Sequence, residues 1–222
     1  MKNILIYSVG FSFLLYVFRV WYTGSFLFLF IPWNLFLAWL PLLFSSMIRD
    51  AKLSMRNAAL FSLWLLFFPN SPYLITDLFH LQERAGVPLY YDLVLLFMAA
   101  WNGLLMGLYS LRNIEQLLLK RFSAIQVKPM ILSFFVLCGF GIYLGRYDRY
   151  NSWHLVTQPF DLAQGILAKI ISPASHPRVW AVTILFAVVL LLIYETLKKI
   201  PAHFTEQVSI SSPSQSDLKV KS

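Results

Sequence analysis

The chain holds one cysteine, Cys138, and only 13% of its 222 residues are charged, against roughly 25% in ordinary soluble domains. A lone cysteine excludes an intramolecular disulfide and offers no thiol cluster for metal or redox chemistry. Its place inside an apolar run suits a buried structural residue. Catalytic signatures are equally sparse. There is no HExxH, no phosphate loop, no dinucleotide fingerprint and no repeated carboxylate motif. Ser71 and Ser152 lack the surroundings of a nucleophile elbow. No cofactor is named by these residues, and no metal set is assigned.

Apolar residues make up 59% of the chain. They gather in runs long enough to cross a hydrocarbon core of about 30 Å, which takes roughly 20 residues of helix. Backbone groups in lipid must be satisfied internally, so such runs cross as helices. The spans fall at about 3–18, 26–48, 58–77, 91–111, 129–146 and 179–197. The expected fold is an all-α, six-span transmembrane bundle over residues 1–200, with a Ser-rich tail over 205–222 expected to be disordered. The first run follows Lys2 as a signal peptide would, but Arg19-Val20-Trp21-Tyr22 reads as an interfacial anchor, so it is kept as a span.

The net charge of +8 would suggest nucleic acid in a soluble protein, but basic residues beside spans are ordinary topology signals that meet anionic lipid. Segments 1–3, 49–57, 112–128 and 198–222 hold 12 of the 18 basic residues. The other six lie in 19–25, 77–90 and 147–178, or at Arg146. The positive-inside rule therefore expects both termini in the cytoplasm. Within 112–128, apolar residues recur at helical spacing beside Arg112, Lys120, Arg121 and Lys128, as in a helix lying on the inner leaflet. Phe160, Ala163, Ile166, Leu167, Ile170 and Ile171 predict a second amphipathic helix on the other side.

Small residues at four-residue spacing let helices approach closely. Ala99, Gly103 and Gly107 form such a line on the fourth span, and Gly141 and Gly145 on the fifth, so these two are expected to be the closest pair. Asn102 beside that line calls for an interhelical hydrogen bond. Pro32 and Pro41 should kink the second span, and Asn34 can satisfy freed backbone groups or reach a neighbour. The last span is apolar almost all round and is expected to face lipid.

The third span is the irregular one. From Ala58 to Phe68 is too short to cross, so the chain must continue through Phe68-Pro69-Asn70-Ser71-Pro72-Tyr73. A helix broken at membrane depth survives only when packed by protein or lining a polar cavity. Beyond it, Asp77 and His80 share one face of a helical turn, where a carboxylate can orient a histidine for proton transfer. Asp92 opens the fourth span after Tyr90 and Tyr91. The fifth ends in Gly145-Arg146-Tyr147-Asp148-Arg149-Tyr150-Asn151-Ser152-Trp153-His154. Six spans bring Arg19, Asn70, Asp77, His80, Asp92, Arg146, Arg149 and Asn151 to one outer face. Three readings stay open there: recognition of an anionic ligand by the arginines, with His80 or an aspartate moving protons; a solute path along the broken span; or pure pairing that ties the spans together.

Four motifs in order carry a resemblance: Trp33-Asn34-Leu35-Phe36-Leu37-Ala38-Trp39; Phe68-Pro69-Asn70-Ser71-Pro72-Tyr73 with Thr76-Asp77-Leu78 and His80-Leu81; Tyr91-Asp92-Leu93; and Gly141-Ile142-Tyr143-Leu144-Gly145-Arg146 with Asn151-Ser152-Trp153. Over about residues 15–195 the chain resembles the family of bacterial integral membrane proteins catalogued as domain of unknown function 1361. The resemblance implies a multi-pass protein of a bacterial cytoplasmic membrane, in contact with membrane lipids, and no activity, cofactor or partner. His154 stands where the family tends to an acidic residue, and Asp148 where an apolar one is expected.

Overall fold

The computed structural model describes residues 2–50, 54–84, 86–150 and 157–211, with side chains between residues 3 and 199. Among the described residues, six stretches are long and apolar enough to cross a membrane, each overlapping one of the expected runs. The elements are α1 (Lys2–Thr23), α2 (Phe30–Met47), α3 (Met55–Phe67), α4 (Asn70–Tyr73), a 3-10 turn (Leu74–His80), α5 (Leu89–Leu119), α6 (Ala124–Arg146), α7 (Pro159–Ile171) and α8 (Pro177–Ser211). The expected tail over 205–222 falls largely outside the described residues.

Local chemistry explains the ends. α1 stops at Gly24, whose φ of +62° is the left-handed conformation of a helix C-cap; its N–H returns to the Val20 carbonyl at 2.8 Å. Pro88 precedes α5 and cannot continue a helix backwards. Ser123 and Gln126 exchange capping hydrogen bonds at the start of α6.

α5 is the central helix. Its one side, with Leu95, Leu96, Ala99 and Met106, packs among Tyr16 of α1 and Ile31, Leu35 and Ala38 of α2. Its other side, with Leu104, Leu108 and Leu111, meets Trp64 and Phe68 from α3 and its C-cap, Phe135, Cys138 and Ile142 of α6, and Leu190 of α8. Cys138 is fully buried there, as its apolar run suggested. Asn102 makes the expected interhelical bonds, donating from Nδ2 to the Ser12 hydroxyl at 2.9 Å and the Ser8 carbonyl at 3.1 Å. α7 forms where the amphipathic stripe predicted it, with Ile166 against Tyr143, Leu144 and Val179.

Three expectations are corrected. The basic stretch over 112–128 is no separate surface helix: α5, 31 residues and about 46 Å at 1.5 Å per residue, carries on through Arg112 to Leu119, and after a short turn α6 takes up the rest from Ala124. Glu115 explains why. It is buried, accepts from the Tyr194 hydroxyl at 2.7 Å and pairs with Lys198 at 2.5 Å, so this end of α5 is bound to α8. The last span likewise does not face lipid all round. Val179, Thr183, Ala187, Leu190 and Tyr194 are buried along one face, and a Cβ on Gly139 of α6 would collide with the Thr183 backbone. Only the far face, including Leu185 and Leu192, is exposed.

The glycine lines, in turn, do not pair α5 with α6; they receive the broken third span between them. A Cβ on Gly103 would stand 2.5 Å from the Ser71 carbonyl oxygen, and one on Gly107 2.8 Å from Ser71 Cβ. A Cβ on Gly141 would stand 2.7 Å from Pro69 Cγ, and one on Gly145 3.1 Å from the Tyr73 ring. Small residues permit close approach of any backbone, and here the intruder is the double-proline segment.

That segment settles its own hydrogen bonds. α3 covers only 13 residues, about 20 Å, before the break. The Ser71 N–H bonds the Phe68 carbonyl at 3.2 Å, which leaves Phe67 without its usual partner. Asn70 supplies one, donating from Nδ2 to the Phe67 carbonyl at 3.1 Å. The Ser71 hydroxyl donates to the Ala38 carbonyl of α2 at 2.9 Å, one turn before Pro41. The break is packed by protein, as the bilayer requires.

Candidate functional site

The 3-10 turn after α4 carries Asp77 and His80, and three residues per turn bring i and i+3 onto one face. α1 brings Arg19 to the same end of the bundle, α2 Asn34, the start of α5 Asp92, and the end of α6 Arg146. Five elements that are distant in sequence thus meet in one polar network among apolar helices.

One half of the network is a closed tie. Arg19 donates from Nε and Nη2 to the two oxygens of Asp92, at 2.7 and 3.1 Å. Both side chains are almost fully buried, at 3% and 2% exposure. Arg84 adds Nη1 to the same carboxylate at 3.3 Å and Nη2 to the His80 carbonyl at 3.1 Å. The Phe28 ring lies under both guanidiniums, 4.4 Å from Arg19 and 5.1 Å from Arg84. A forked donor on a carboxylate, roofed by an aromatic face, is the strong form of ion pair.

The other half is less closed. Asp77 is buried and accepts from Asn34 Nδ2 at 2.9 Å. Arg146 Nη1 lies 3.1 Å from His80 Nε2 and 3.9 Å from Asp77 Oδ1. A guanidinium has donors only, so Nε2 accepts and the ring proton sits on Nδ1. The His80 ring rests 4.9 Å from that of Phe30, and Arg146 lies 5.2 Å from the Phe79 centroid. The carboxylate does not hold the histidine directly: the arginine stands between them. Three guanidiniums share two carboxylates here, which leaves one positive charge in excess.

The structure brings together Arg19, Asp77, His80, Asp92 and Arg146. Asn70 donates to the carbonyl of Phe67 at the helix break. Arg149 is exposed and takes a left-handed φ of 60° just past α6. Its neighbour Asp148 pairs with Lys169 of α7 at 2.9 Å, not with the network. Asn151 and His154 lie outside the described residues. Two members were not among the residues singled out for the site. Arg84 counted only as a topology charge, although its place eight residues before Asp92, across the Gly86 turn, was a signal. Asn34, a polar residue on the second span, holds Asp77.

Six apolar helices enclosing a buried polar network define a multi-pass, all-α membrane protein. More particularly, the chain belongs to the family described as Protein of unknown function (DUF1361), whose profile matches residues 33–193. No curated protein and no solved structure matches it.

Proposed function

We propose that this protein recognises the anionic group of an envelope lipid or small solute at the Arg146 side of the network, while Arg19 and Asp92 hold the helices that frame it. The supporting observation is the third guanidinium. Arg146 spends one nitrogen on His80 and stands 3.9 Å from Asp77, beyond hydrogen-bond reach, with its side chain 16% exposed. Its remaining donors suit a phosphate or carboxylate, whose forked geometry they match. His80 then stands beside the bound anion with its Nδ1 proton. The positive-inside count turns this end of the bundle outward, in a bacterial cytoplasmic membrane on this reading.

A structural reading, in which the network only ties the helices together, draws on the full burial of Arg19 and Asp92. Acid–base chemistry by Asp77 and His80 has less support, because Arg146 lies between them. Native mass spectrometry of the protein released from gentle detergent separates the readings. A reproducible extra mass that disappears in Arg146→Ala supports recognition. A bare chain mass, with Arg146→Ala as destabilising as Asp92→Asn, would turn the network into a tie alone.

A further inference from the structure

A cleft of about 1240 Å3 opens between α1, α2 and α5, running along α2 from Pro32 to Arg49. It exceeds the roughly 300–1,000 Å3 of ordinary small-molecule pockets. Its walls are apolar, built from Leu5, Val9, Leu35, Leu42 and Met106. Its rim carries Ile6, Phe13, Phe36 and Trp39, all exposed, so the way in is from the hydrocarbon side. At one end the lining turns polar, with Arg49, Gln116 and Lys120. Arg49 and Lys120 are exposed, and neither makes a salt bridge among the described residues. Among the described residues, no carboxylate lines the cleft. Asp50 is engaged by Asn57, and Glu115 turns away to α8.

We propose that this cleft seats one anionic glycerophospholipid, an acyl chain lying between α1, α2 and α5 and the phosphate held by Arg49 and Lys120. The dimensions agree. From Met106 to Lys120 the cleft runs about 21 Å along α5 at 1.5 Å per residue, more than half of a hydrocarbon core of about 30 Å. An acyl chain that starts at the basic end can therefore lie within it along its length. The apolar wall fits the chain, the sideways opening fits entry from the bilayer, and two unpaired cations fit a phosphodiester. This site is separate from Arg146 and does not depend on the reading given to it.

The test is lipid binding by the full-length protein in detergent, titrated with palmitoyl-oleoyl phosphatidylglycerol or with the matching phosphatidylcholine, the bound molecules counted by native mass spectrometry. One phosphatidylglycerol per chain is expected, retained on the order of tenfold better than phosphatidylcholine. The R49Q/K120Q double variant should erase that preference. Gly10→Trp should lose the bound lipid of either kind, since nothing lies within 4 Å of a Cβ at Gly10 and the ring would fill the cleft without collision. Arg146→Ala should leave all of this unchanged. Equal retention of the two lipids by the unaltered protein would overturn the proposal, as would undiminished binding in Gly10→Trp. A two-chain mass in place of bound lipid would overturn it too, in favour of a second copy in the cleft.

Discussion

Asp92→Asn is the substitution on which the network's logic bears most directly. The carboxylate is 2% exposed and serves two arginines at once. An amide of the same shape keeps one acceptor and turns an NH2 group toward a guanidinium that can only donate. Arg19, 3% exposed, then stays buried without its counter-charge. Orphaning a buried charge costs about 3–5 kcal/mol. For a chain of this size that is roughly 6–20 °C in melting temperature. Arg84→Ala should be far milder, about 0–1 kcal/mol, because Arg84 is 20% exposed and Asp92 keeps Arg19. Arg19→Ala should fall between, since Arg84 remains to neutralise the carboxylate. Combining Arg19→Ala with Asp92→Asn should cost less than the sum of the two, with a coupling of roughly 1–3 kcal/mol. The assay is reversible unfolding in mixed micelles with increasing anionic detergent, read by tryptophan fluorescence. Strict additivity, or an Arg84→Ala effect as large as that of Asp92→Asn, would show that Asp92 is not the hub.

Gly103→Ala and Gly141→Ala should each destabilise the bundle by about 1–3 kcal/mol, because the added methyl meets the Ser71 carbonyl or the Pro69 ring. The same change at Gly10, where the space is open, should cost nothing and serves as the control in a thermal melt. Glu115→Gln should loosen α8 from α5 by about 1–2 kcal/mol, since Lys198 is 33% exposed and part of its pairing is already screened. Hydrogen exchange along α8 reports that change, and unaltered exchange near Tyr194 would refute it. In a Cys138→Ala background, a cysteine at Ser175 should react with an impermeant maleimide added to intact cells, and one at Ser123 should not; the reverse pattern would invert the topology.

How much of this was legible beforehand differs from element to element. All six crossings could be read from hydropathy, because lipid forces each run to satisfy its own backbone, which makes a span a local property. Its limits were less legible. The fourth span was expected to end at 111 and continues to Leu119, since Arg112 and Glu115 look like surface residues until Tyr194 and Lys198 come beside Glu115. The third span's break was visible in Pro69 and Pro72, whose missing N–H groups speak from the sequence itself. That Asn70 would bond the open carbonyl at the break was not visible, because it depended on which carbonyl the Ser71 N–H left open.

The sequence by itself determined a six-span helical membrane protein, its charge asymmetry, its family, and the gathering of Arg19, Asp77, His80, Asp92 and Arg146 at one end. Only the tertiary structure decided the pairings. Arg19 and Asp92 are 73 positions apart, Asn34 and Asp77 are 43, and no periodicity links either pair. It also decided that the glycine lines of α5 and α6 clasp the proline segment between them. The physical reason is the same in each case. Crossing a membrane is dictated by a helix and its solvent, whereas a buried charge or a bare backbone surface accepts whichever neighbour the whole bundle brings within reach.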